Sequence, residues 1–137
     1  MQILMPAIAL VAVTFVVWCW MYFTRLRYLR ANRIEPNNLA TRERDSRLLE
    51  PVAGPSDNLR NLFEMPVLFY VLIILLLDTG HASSGFVSAA WAFVALRTLH
   101  SAIHCTYNDV MHRFTVYALS SLVLWGMWAA FAVRLLG

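Results

Sequence analysis

The sequence predicts an all-α integral membrane protein, an antiparallel up-down bundle of four transmembrane helices. Three observations predict it. Of the 137 residues 60% are hydrophobic, above the roughly 45–50% of a soluble domain. Apolar runs recur along the chain at the length of about 20 residues that a bilayer crossing requires. The arginines collect between these runs and seldom within them. The length leaves room for one domain over residues 1–137 and no appended soluble module.

The first span, residues 3–23, reads ILMPAIALVAVTFVVWCWMYF and holds no charge. No basic segment precedes it and no small-residue cleavage site follows, so an uncleaved anchor is expected. Trp18, Trp20 and Tyr22 at its end suit a membrane interface. Residues 24–60 are polar and punctuated by the EPNN and PVAGPSDN stretches, which predict a loop with one amphipathic turn and no independent domain. The second span covers 61–77 and the third 84–104. The turn between them, around Asp78-Thr79-Gly80-His81, is short enough to force an antiparallel hairpin. A polar patch from Thr106 to His112 leads into the fourth span, 114–136. Cys19 and Cys105 define no disulfide framework and read as small buried hydrophobes.

All eleven basic residues are arginines, and eight of them lie between Arg25 and Arg60 beside five acids. Arginine excess marks loops that stay in the cytoplasm. Loops 24–60 and 105–113 are therefore expected there, with both termini on the opposite side; Arg134 alone runs against this. Lack of lysine and of a targeting segment points to a bacterial inner membrane. Nucleic acid is excluded as a partner, because acids interrupt the arginines and no stacking aromatics accompany them.

Ionisable groups inside a span cost about 2.5–3.5 kcal/mol each at its centre and usually serve a function. Glu64 lies roughly 9 Å into span two and Arg97 roughly 10 Å into span three from the same side, at 1.5 Å per residue. Equal depth and opposite charge predict an ion pair between them. Asn61 and Glu64 stand at i, i+3, and Arg60 and Glu64 at i, i+4. Arg97, His100 and His104 form one stripe of span three. Arg113 and Tyr117 open span four, while Arg25 and Arg27 close span one. Each alone has a structural role open to it: snorkelling anchors for Arg25, Arg27 and Arg60, a structural pair for Arg97 and Glu64, helix–helix hydrogen bonds for Asn61 and the histidines. Eight such groups at one depth exceed what a bundle needs. Pro66 loosens the helix beside Glu64 and frees a carbonyl.

Several arginines with one carboxylate and one amide suit a ligand carrying two carboxylates and an ammonium. A cationic site also lowers the pKa of a bound thiol and favours the nucleophilic thiolate. Glutathione carries all of these groups.

The pattern resembles the MAPEG family, the membrane-associated proteins in eicosanoid and glutathione metabolism. The residues that carry the resemblance are Arg25-Leu26-Arg27, Arg60-Asn61-x-x-Glu64-x-Pro66, Arg97-x-x-His100-x-x-x-His104 and Arg113-x-x-x-Tyr117. Their order and spacing cover nearly the whole chain. The resemblance implies a homotrimer with glutathione as cosubstrate between neighbouring subunits. It implies glutathione contacts from Arg25, Arg60, Asn61, Glu64, His100, His104, Arg113 and Tyr117. Arg113 would stabilise the thiolate, with Tyr117 as a hydrogen-bond donor. The implied activity is conjugation of lipophilic electrophiles or reduction of lipid hydroperoxides. His104 stands where the prostaglandin synthase member has tyrosine, Phe114 where it has serine, and Asp57 where it has a basic residue. Prostaglandin synthesis is therefore not expected.

Three other readings compete. A proton-coupled exporter would use Glu64, against which the long Arg-rich loop and an Arg97 partner argue. A metal site at His100 and His104, completed by Glu64, Asp109 or His112, would be repelled by the arginines, so no metal is expected. A non-catalytic protein that binds lipid or a partner is the third.

Overall fold

The structure, a computed structural model, describes residues 2–136. Met1 and Gly137, the ends of the expected domain, lie outside them. Six α-helices form: α1 (Leu4–Ala31), α2 (Arg42–Leu48), α3 (Gly54–Leu62), α4 (Met65–Asp78), α5 (Ser84–Cys105) and α6 (Val110–Leu136). Short 3-10 turns at Pro36–Leu39 and Glu50–Val52 flank α2. The described residues contain no strand.

Four helical stretches are long and apolar enough to cross a membrane: Leu4–Ala31, Gly54–Asp78, Ser84–Cys105 and Val110–Leu136. The second is not one smooth helix. Pro66 has no N–H to donate, and a proline disfavours helical backbone in the residue before it. The chain breaks at Phe63 and Glu64, where Glu64 adopts φ −99° and ψ −100°, and α4 restarts with Pro66 in its first turn. The segment 24–60 holds more helix than a loop with one turn. α1 runs on to Ala31, Thr41 caps α2 through the Arg44 N–H, and α3 leads directly into the second span.

The core is a strip of apolar side chains shared by α1, α4, α5 and α6, with Leu10, Phe69, Leu72, Leu76, Ala90, Phe93 and Leu124 fully buried. Phe69 and Phe93 stack at 4.6 Å between ring centres. Many large apolar residues face outward instead, among them Phe15, Val16, Ile74, Leu122 and Val133. In water such a surface would be a liability; against lipid tails it costs nothing. Cys19 is exposed on this outer face and Cys105 is half-buried, so neither is the fully buried hydrophobe expected.

α5 and α6 share the most extensive packing. The start of α5 meets the end of α6 where Arg134 donates to Ser83 and covers Phe86. The end of α5 meets the start of α6 where Arg113 reaches His104. α3 lies against the last turn of α5, and Gly54 makes that approach possible. A Cβ there would stand 2.8 Å from the His104 carbonyl oxygen, closer than atoms pack.

Candidate functional site

The polar stripe of α5 turns into the bundle. Arg97 is fully buried, and His100 and His104 nearly so. The expected ion pair between Arg97 and Glu64 does not form: Glu64 is exposed, and no carboxylate among the described residues lies within ion-pair distance of Arg97. The helix break explains this. It turns Glu64 outward as the residue before α4 and leaves the Asn61 carbonyl with only a long backbone bond, 3.4 Å, from the Glu64 N–H. Arg97 makes the shorter bond to that carbonyl, Nη2 donating at 2.8 Å. Its guanidinium lies 5.3 Å from the centre of the Tyr117 ring, where the aromatic face attracts a cation. Arg97 Nε and Nη1 have no hydrogen-bond partner among the described residues.

Four of the eight expected site residues come together beside it. His100 Nδ1 donates to the Arg113 carbonyl at 3.1 Å, which in the neutral ring leaves Nε2 bare of hydrogen, and Nε2 has no partner among the described residues. Tyr117 lies 5.7 Å from the His100 ring and His104 lies 5.6 Å from it. Arg113 Nη1 donates to His104 Nε2 at 3.1 Å and to Asn108 Oδ1 at 2.8 Å. One edge of the guanidinium is thus fixed, while Nε and Nη2 make no hydrogen bond among the described residues. Arg113 is half-exposed, so the free edge is open to a ligand.

Arg25 and Arg60 belong to a different surface. Arg25 lies 3.6 Å from Asp45 and Arg60 lies 3.5 Å from Asp57. Together with Arg42, Glu43 and Glu50 they line a cavity of about 610 Å³ between α1, α2 and α3. Asn61 enters the cluster only through its backbone carbonyl. Glu64 makes no ion pair or side-chain hydrogen bond among the described residues.

Two residues that the sequence reading passed over support the site. Asn108 adopts φ +52°, a left-handed conformation that asparagine tolerates better than most residues. Its sequence signal is the polar turn before span four. Asn58 is fully buried on α3; Ser101 donates to its Oδ1 at 3.3 Å and its Nδ2 reaches the Cys105 sulfur at 3.6 Å. The neighbouring Asp109 accepts from the His112 N–H at 2.9 Å, and that hydrogen bond holds its carboxyl below the usual range.

The sequence profile of the MAPEG family matches residues 3–133 of the chain. The protein belongs to the MAPEG family. It is therefore an integral, multi-pass membrane protein of a family that includes glutathione-dependent transferases and peroxidases. No curated protein and no solved structure matches it. Within this MAPEG chain the α5–α6 cluster gathers the buried Arg97, His100 and His104, and a cation edge opens beside it.

Proposed function

We propose that the protein is a membrane-bound, glutathione-dependent transferase or peroxidase acting on lipophilic electrophiles or lipid hydroperoxides. The observation that carries this reading is the fixed Arg113 guanidinium with an open edge, in a chain of the MAPEG family.

The residues fit the peptide by charge. Arg60 and Arg25, exchanging the loop acids Asp57 and Asp45, offer forks for two carboxylates, and the unpaired Glu64 offers a partner for an ammonium. Glutathione supplies the nucleophilic sulfur. Arg113 Nε and Nη2 would hold the sulfur in its anionic form, since a nearby cation favours loss of the thiol proton. The Tyr117 hydroxyl would donate to the same atom from the next turn of α6. Arg97 is a positioning residue here: it locks the Tyr117 ring and the α3–α4 break without reaching the ligand. In conjugation, a sulfur–carbon bond forms as the leaving group departs with its electron pair, and the thiol proton passes to water.

In this proposal the spans alternate up and down, loops 24–60 and 105–113 face the cytoplasm, and the host is a bacterial inner membrane. The contacts at both ends of the α5–α6 pair support the alternation. The proposed assembly is a homotrimer, as the family resemblance implies; Arg25, Arg60 and Glu64 make no contact with the Arg113 side chain through an ion pair or hydrogen bond among the described residues.

The test is conjugation to a chlorinated dinitrobenzene by purified protein in lipid. Arg113→Ala is expected to lower kcat/KM by about 100-fold, the loss typical of removing one preorganised charge donor. Failure of the unaltered protein to bind glutathione at millimolar concentration would overturn the proposal. The exposed, unpaired Glu64 also favours a second reading, a proton-coupled exporter; transport in vesicles that Glu64→Gln abolishes would identify it.

A further inference from the structure

A groove of about 380 Å³ opens between the first half of α5 and the second half of α6, at the end of the bundle opposite the Arg-rich loop. Phe86 and Met127, both buried, form its floor, and Ala89, Leu122 and Ala130 line its sides. Gly126 keeps it open, since a Cβ there would meet no atom within 4 Å. From Leu122 to Arg134 the α6 side runs roughly 18 Å at 1.5 Å per residue. That is a little over half of the ~30 Å hydrocarbon core, the depth of one leaflet.

The groove ends on a single cation. Arg134, in the last turn of α6, lines it and is exposed. Nη1 donates to the Ser83 hydroxyl at 3.1 Å, and the guanidinium lies 5.0 Å from the centre of the Phe86 ring. One edge of the fork is thus fixed over the floor of the groove. Nε and Nη2 make no hydrogen bond, and Arg134 has no ion pair, among the described residues. No acid lines the groove. Of the eleven arginines, Arg134 alone stands at the end where α5 begins and α6 finishes, on the side that arginine ordinarily avoids.

We infer that the outer α5–α6 groove binds an anionic phospholipid. One acyl chain lies over Phe86 and Met127, and the headgroup phosphate accepts from the free edge of Arg134. Charge decides the occupant. A cation with no acid beside it, at the end of an apolar slot, attracts a headgroup of net negative charge, whereas a zwitterionic headgroup brings a cation of its own. The guanidinium fork matches two phosphate oxygens at once. The site lies at the opposite end of α5 from His104 and is independent of the proposed thiol chemistry.

The test uses the full-length protein in phosphatidylcholine nanodiscs. They contain a small, equal fraction of phosphatidylglycerol or phosphatidylcholine carrying a diazirine in one acyl chain. Light fixes the chain where it lies, and mass spectrometry of the digest locates the adducts. Adducts on Phe86, Ala89 and Met127 are expected to form about fivefold more with phosphatidylglycerol, the factor that one arginine supplies toward an anionic headgroup. Arg134→Gln should bring the two probes level. Arg134→Lys keeps the charge and should preserve the preference. Gly126→Leu extends into open space, so it should remove these adducts with both probes and leave the helix content unchanged. Equal labelling by the two probes, a preference that survives Arg134→Gln, or adducts that persist in Gly126→Leu would each overturn the inference. So would a groove that neither probe labels, the result expected if a second copy of the chain covers it.

Discussion

Asn58 illustrates what a single side chain does in this bundle. It sits where α3 first touches α5, fully buried, with both ends of its amide engaged by Ser101 and Cys105. Leaving either partner unsatisfied there costs more than the hydrogen bond itself contributes. Asn58→Ala is therefore expected to destabilise the folded chain by about 1–3 kcal/mol, measured by denaturant unfolding in micelles. Ser101→Ala should cost less, because the Asn58 nitrogen keeps its sulfur contact. Equal stability of Asn58→Ala and the parent would show that the α3–α5 seam does not depend on the amide. Sequence alone offers no sign of this role, since an asparagine in a PSDN stretch reads as turn punctuation. Arg97 was legible as a buried group from its stripe with His100 and His104. Its partners were not legible. Depth in the membrane follows from counting residues, but which neighbour a side chain meets depends on how each helix is rotated, and the break at Glu64 changes that rotation.

At the scale of elements, the spans themselves were the most readable feature, because lipid demands continuous apolar helices and leaves little else possible. The interruption of the second span was half-legible: Pro66 announced a loosening, but not that Glu64 would leave the helix and face outward. Of α2 only an amphipathic turn was legible, as three arginines and two acids leave Leu48 as its one apolar residue. The start of α6 carries a pH-dependent cap. Asp109 accepts from the His112 N–H, and its carboxyl is held below the usual range by that bond. A carboxyl with a lower pKa in the folded state stabilises that state above its unfolded pKa, and the contribution disappears as pH falls through the folded value. The first turn of α6 is therefore expected to fray as pH drops below the ordinary carboxylate range. Hydrogen exchange at His112 and Arg113 should quicken there. In Asp109→Asn the exchange rate, corrected for intrinsic chemistry, should lose this dependence. Because Arg113 stands in this turn, the same acid limb should appear in conjugation activity.

For the whole molecule, the division of the polar residues is the informative fact. One chain gathers His100, His104, Arg113 and Tyr117 at the α5–α6 end, but leaves Arg25 and Arg60 with the loop acids and Glu64 exposed. An exposed carboxylate beside a membrane span is costly unless something pairs with it, and in the proposed trimer that partner comes from a neighbour. Mixing variants tests this directly. Glu64→Gln and Arg113→Ala are each expected to be inactive as pure assemblies if each site takes its arginine from one subunit and its glutamate from the next. Co-expressed in equal amounts and mixed at random in a closed ring, about one site in four then draws both intact residues. Co-expression should accordingly restore roughly a quarter of the parental conjugation rate, whereas mixing the two purified and stable assemblies should restore none. If both residues serve the same subunit's site, every chain carries one defect, and co-expression recovers nothing.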